Sequence, residues 1–228
     1  MSYKANMNEI EKISIEFPLK GEWRFLRPPG HHPFAFDFVK MDDKRKKYST
    51  ESKIRFLLGN IPSTKYYCWE QPVYSPCDGV ILQTGVEWKD HQETNIWKTI
   101  KIWYNATYKN QPNDADGKLD LRPNVGNYVM IKTGGGQIVF LAHLKCGTTT
   151  VKSGQIVKTG DLIGNVGNSG NSTAPHLHMN IFDQMDDPYT AMVLPFVFKE
   201  YQELSSGEKW ETQKLNVPKI KSFIRSCL

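Results

Sequence analysis

No stretch of the 228-residue sequence approaches the roughly 20 consecutive apolar residues that a membrane-spanning helix requires. The first residues, MSYKANMNEIEKISIEF, lack a basic start followed by an apolar core, so nothing there reads as a secretory leader. Cysteine is scarce, and Cys68, Cys77, Cys146 and Cys227 include no CxxC pair. A thiolate-rich structural zinc site is thereby excluded; the four read as mainly free thiols, with a bridge such as Cys68 to Cys77 left open. Neither charge dominates: 29 Lys and Arg stand against 24 Asp and Glu, a net +5. That small excess names no anionic partner, and no nucleic acid is expected. Helical patterning is also sparse, confined to Ser52 to Leu58, Leu194 to Glu203 and the PKIKSFIRSC stretch. The Gly134 to Gly136 run is followed by neither a helix nor a GK[ST] ending, so it is a hairpin turn and not a phosphate loop.

What is abundant points to β-structure. Seventeen Gly, thirteen Pro and many aromatic residues accompany short apolar runs separated by turn residues: PVYSP, DGVILQTG, NYVMIKT, QIVFLAHL and QIVKTGDLIGNVG. The expected fold is all-β, an antiparallel two-sheet or barrel-like β-sandwich with few or short helices. One domain over 1–228 is expected, with a core at about 19–183 and an extension over 184–228. The insert at about 86–112 carries three Trp and two Tyr and reads as a β-hairpin with a packed aromatic face. The basic run Lys44 to Lys47 reads as a solvated loop.

Chemistry is concentrated in histidine. Five of the six stand at or beside the ends of strand candidates, and only His91 falls in the insert. In NSTAPHLHMNIF, alternation sends His176, His178 and Asn180 to one face and Leu177, Met179 and Ile181 to the other. The apolar set suits a core, leaving two imidazoles aimed together at something else. His143 ends the strand QIVFLAHL on the face of Val139 and Leu141, and His31 and His32 precede FAFDF, within reach of Asp37. Imidazole plus carboxylate is the donor set of a catalytic zinc, which uses three protein ligands and keeps one position open.

The motifs HHPFAFDF, FLAHL and GNVGNSGNSTAPHLHMNIF, joined by GQIVKTGDLIG, closely resemble the lysostaphin-type, LytM-like zinc metallopeptidases. EQPVYSPCDGVIL resembles that family's strand pair ahead of the core, and the likeness runs from about Leu19 to Phe182. It implies the duplicated hybrid motif fold, a bound Zn²⁺, and hydrolysis of peptide bonds in bacterial peptidoglycan stems or cross-bridges outside the cytoplasm. Position by position, it makes His32, Asp37 and His178 the metal ligands and His143 and His176 the catalytic pair. The usual first motif is His, three residues, Asp, whereas here the gap is longer; a variant ending AxDF fits AFDF and favours the second histidine. Strand parity favours His31 instead, because six positions to Asp37 is an even step and five is odd. Pro33 interrupts that parity, so His32, nearer the strand, is the expected ligand and His31 the alternative.

Such a zinc lowers the pKa of a bound water to about 7 and polarises the scissile carbonyl. With no HExxH glutamate present, proton transfer falls to the two non-ligand imidazoles. Two alternatives accompany this reading. One is a wall-binding or regulatory module that keeps the fold without turnover, although here the ligand set is complete. The other is a zinc peptidase with a non-wall substrate acting in the cytoplasm, which the absence of a leader-like start favours.

Overall fold

A computed structural model describes residues 13–29, 31–108, 121–185 and 190–227. The charged start over 1–12 and the end of the insert over 109–112 lie outside the described residues. The strands of the first half are β1 (Ile13–Ile15), β2 (Glu22–Leu26), β3 (Phe36–Val39), β4 (Ile61–Pro62), β5 (Pro72–Tyr74), β6 (Gly79–Gly85) and β7 (Glu93–Thr94). Those of the second half are β8 (Asn127–Lys132), β9 (Ile138–Leu144), β10 (Ile156–Val157), β11 (Leu162–Asn165), β12 (Leu177–Phe182), β13 (Phe196–Leu204), β14 (Trp210–Asn216) and β15 (Phe223–Arg225). The helices are α1 (Lys53–Leu58), α2 (Ile96–Tyr108) and α3 (Arg122–Val125).

Eleven strands form one sheet in the order β1-β13-β15-β2-β3-β12-β9-β8-β6-β10, with β14 on β13. Its path has two ends and closes no barrel. Two small sheets, β5 with β11 and β4 with β7, complete the β-structure. Pairing is antiparallel except between β1 and β13, which run parallel.

The core follows from strand alternation. Phe36 and Phe38 of β3 and Leu177, Met179 and Ile181 of β12 are buried together with Trp23, Phe25 and Phe198. Val73 of β5, Ile163 of β11 and Ile61 of β4 join the same cluster, so both small sheets pack on one core. Phe17 meets Phe38 and Phe198 with ring centroids 5.5 Å apart in each case. Each fully buried side chain of this size contributes about 1.5–3 kcal/mol. On the opposite face of β8 and β9, Tyr128, Met130, Ile138, Phe140 and Ala142 form a second cluster beneath Phe182 and Met185. The Gly134 to Gly136 run does close the β8–β9 hairpin, with Gly136 in the left-handed region at φ 89°.

Three local expectations fail. The aromatic insert is not a hairpin: Asn95 caps α2 by accepting from the Lys98 backbone N–H at 2.7 Å, and the helix runs to Tyr108. Trp97, Ile100, Trp103 and Tyr104 then fall at helical spacing along an exposed stripe, so the aromatic residues there are not packed as a hairpin face. Residues 194–203 and the C-terminal stretch, read as possible helices, are strands β13 and β15. Their pairing with β1, β14 and β2 overrides a weak local preference. Ser52 to Leu58 does form a helix, with Ser52 Oγ accepting from the Arg55 N–H. All four cysteines are free, Cys68 and Cys77 included.

Candidate metal and active site

The site lies where β3, β12 and β9 run side by side. In register, His178 stands opposite Asp37 on one side and opposite Ala142 on the other. Because Phe36 and Phe38 point into the core, Asp37 points out of it, onto the face that carries His178 and Asn180. Asp37 is nevertheless buried, 5% exposed, because imidazoles cover it. His178 Nδ1 lies 2.9 Å from Asp37 Oδ1, His31 Nε2 3.5 Å from the same oxygen, and His176 Nε2 3.5 Å from Oδ2. The His31 and His178 rings are 5.2 Å apart and those of His143 and His176 4.6 Å. Five of the sequence-selected residues therefore converge: His31, Asp37, His143, His176 and His178.

His32 does not join them. Two turns are closed by bonds from the His31 N–H to the Pro28 carbonyl and from the Ala35 N–H to the His32 carbonyl. These turns swing His31 over Asp37 and leave His32 exposed, its Nδ1 accepting from the Phe34 N–H at 3.3 Å and its ring beside Phe34. Pro33 removes both histidines from the strand, as expected, but nearness along the chain does not translate into reach. His31, Asp37 and His178 offer ligand atoms all within 4.8 Å of one another.

His143 arrives by a device invisible to simple alternation. Ladder partners shift between Asn127 with Leu144 and Val129 with Leu141, so Ala142 and His143 together oppose Tyr128 in a β-bulge. His143 adopts φ 60°, a conformation that costs a non-glycine residue about 1–2 kcal/mol. The bulge takes its ring off the core face of Val139 and Leu141 and turns it toward His176 and His178. The GNSG turn, residues 167–170, holds it there. The Ser169 carbonyl sits 2.8 Å from His143 Nδ1, Ser169 Oγ donates to the Leu144 carbonyl, and the Gly167 N–H donates to the His143 carbonyl. Asp90 anchors the turn by accepting from the Asn168 and Cys146 N–H groups. His91, the remaining histidine, contacts the Gly170 carbonyl at 2.7 Å, a structural role. Gly126 and Gly170 both have positive φ and lie so close that a Cβ on either would overlap the other segment's backbone.

These supporting residues were not singled out from sequence, although the Gly/Asn/Ser-rich turn was. Two more complete the set. His176 Nδ1 lies 2.8 Å from the Ala174 carbonyl, with Ser172 Oγ at 3.2 Å. His178 Nε2 lies 3.2 Å from Asn180 Oδ1, a contact that NSTAPHLHMNIF alternation allows but does not announce.

Electrostatics follow from burial and proximity. Burial pushes the Asp37 carboxyl up, but the charge of His176 and the hydrogen bonds from His178 and His31 prevail and hold it well below the usual carboxylate range. Burial, reinforced by His176 and His178, pushes His143 well below the usual imidazole range. Burial also lowers His176, with Asp37 working against it. Hydrogen bonding to Asp37 raises His31 despite its partial burial.

Two imidazoles and one carboxylate gathered at one spot are a donor set able to hold a metal ion, and two further imidazoles stand alongside. Residues 115–189 match the model of Peptidase family M23. The match contains His143, His176 and His178 and stops short of His31 and Asp37. Among solved structures, the catalytic domain of the antimicrobial peptidase lysostaphin from Staphylococcus simulans is 18% identical, with TM-score 0.39 over 79% of this chain and 88% of that one. A zinc-containing peptidase from Vibrio cholerae is 19% identical, with TM-score 0.37 over 75% of this chain and 37% of that one.

Proposed function

We propose that the protein is a zinc-dependent endopeptidase that cuts a peptide bond in bacterial peptidoglycan, outside the cytoplasm. The observation that carries this reading is the buried Asp37 carboxylate contacted by His31, His176 and His178, with His143 beside them. The donor set fits zinc: two imidazoles, one carboxylate held ionised and no sulfur. His31, Asp37 and His178 would hold the ion, with Asn180 fixing the His178 ring. When bound, zinc supplies Lewis acidity and a water acidified to a pKa of about 7.

The chain's own residues do the rest. His143 donates Nδ1–H to the Ser169 carbonyl and His176 donates Nδ1–H to the Ala174 carbonyl, which leaves each Nε2 with its lone pair free to accept a proton. Burial favours the neutral form of both rings, as a proton acceptor requires. One accepts the proton of the attacking water and passes it to the leaving amine; the other, once protonated at Nε2, donates to the oxyanion and steadies it. The fixed backbone acceptors keep these tautomers in place through the cycle.

Metal analysis and digestion of purified peptidoglycan test the reading together. About one zinc per chain and newly exposed amino groups in the digest are expected. His178→Ala and Asp37→Ala should lose the metal. His176→Ala should keep it and lose about 10²–10⁴-fold in kcat. Stoichiometric zinc in both ligand variants, or an intact wall beside a fully metallated protein, would overturn it.

A further inference from the structure

A cleft of about 880 Å³ is floored by the face of β2 and β3 that carries Leu26 and Val39 and is roofed by residues 41–56. None of the five site residues lines it, but it lies next to them. Leu26 in its floor is the ladder partner of Asp37, and Ala174 and Pro175 in its wall lead into His176. Its floor is largely apolar, with Leu26, Val39, Phe56, Ile61 and Tyr66, but its rim carries an uneven charge. Arg24, Lys46, Lys47 and Lys53 line it without an ion-pair partner among the described residues, whereas the lining Arg45 is engaged by Glu22 at 2.7 Å. Glu51 is the lone acid of the lining, and Arg55 binds it at 3.0 Å.

Arg24 is the informative group. One edge of its guanidinium is used: Nη1 donates to Tyr48 Oη at 2.8 Å and lies 3.8 Å from Met41 Sδ. On the other edge, Nε is buried with no hydrogen-bond partner, and across the cleft the Thr99 hydroxyl is likewise buried and unpartnered. The guanidinium also lies over the Phe223 ring at 5.7 Å, so it is held in place while its buried Nε–H stays unpaired, and an orphaned buried donor marks a place where a ligand completes the bonding.

We infer that this cleft is the specificity pocket of the peptidase and that Arg24 binds the carboxylate of an acidic side chain of the substrate peptide. The inference rests on the peptidase reading for its substrate class. An apolar floor takes the aliphatic part of the residue, and the unpaired lysines of the roof add a favourable field.

The test measures binding separately from cleavage. Fluorescein-labelled Ala-Gly-Gly-Glu and Ala-Gly-Gly-Gln amides are titrated by anisotropy into the zinc-loaded His176→Ala protein, and both peptides are assayed for cleavage with the unaltered protein. The Glu peptide should bind about 10- to 100-fold tighter, and Arg24→Met should bring the ratio near one. Arg24→Lys should recover part of it, and Lys47→Gln, on the exposed loop, should reduce it a few-fold should Arg24→Met misfold. Equal binding of the two peptides, or a preference unchanged in a folded Arg24→Met protein, would overturn the inference. Selective binding without cleavage of either peptide would leave the carboxylate pocket standing and count against the peptidase reading alone.

Discussion

His31 and His32 differ by one position and by everything around them. His31 lies against Asp37, whereas His32 is exposed and turned to its own loop. His31→Ala is therefore expected to lose zinc and activity together. His32→Ala should keep its metal and at least half its turnover; metal content by plasma spectrometry decides. Cys68 offers a second test at this scale. It is buried in the core, its Sγ donating to the Pro175 carbonyl at 2.8 Å, and burial pushes the thiol up to about 12. The thiol thus stays protonated in the folded chain while the unfolded chain ionises near pH 8.5. Its contribution to stability is full below that pH and is lost as pH rises toward 12. Native protein at pH 8 should leave Cys68 unmodified by a thiol reagent, and denaturant should expose it, as peptide mapping would read.

Among the elements, the β9 bulge and the GNSG turn act as one unit. The bulge aims His143, and the turn supplies the carbonyl that fixes its tautomer. Gly170 holds φ 71° against the backbone of Gly126, so a methyl group there must push the turn away from β8. Gly170→Ala is expected to destabilise by at least about 1–2 kcal/mol and to lower kcat more than it raises KM. Zinc content should be unchanged, since His31, Asp37 and His178 lie on other elements. Loss of metal in that variant, with kcat per metallated chain intact, would show that the turn supports the ligands and not His143.

At the scale of the whole molecule, the three residues proposed to hold zinc are distant in sequence, and a bound ion would join them. His31 and Asp37 come from the first forty residues, His178 from the last third, and the contact exists only in the folded sheet. On the proposed reading, zinc is expected to bind the native state in preference to the unfolded chain. At free zinc 100-fold above its dissociation constant it should add about 2.7 kcal/mol. For a chain of this size that is about 5–10 °C in Tm, which a strong chelator should remove and readded zinc restore. Asp37→Ala should melt at one temperature with or without chelator.

Alternation along single strands made much of this legible in the residues themselves. Leu177, Met179 and Ile181 against His176 and His178, and Phe36 and Phe38 against Asp37, sort by a period of two, a property of the extended backbone that needs no partner. The same rule carried the β-rich class, while turn chemistry carried the Gly134 to Gly136 hairpin and helical patterning the Ser52 to Leu58 helix. It failed wherever a neighbour decides. The strands β13 and β15 exist because β1, β2 and β14 offer hydrogen bonds, and α2 because Asn95 caps a segment whose apolar spacing fits 3.6 as well as it fits two. His143 was placed on the wrong face because an extra residue in β9, opposite Tyr128, is defined only by the register of two paired strands. That His31 and not His32 lies against Asp37 was not legible, because a turn's direction depends on what it closes over. Local sequence sets which way each side chain points along its own element; only the packed sheet sets which of them meet.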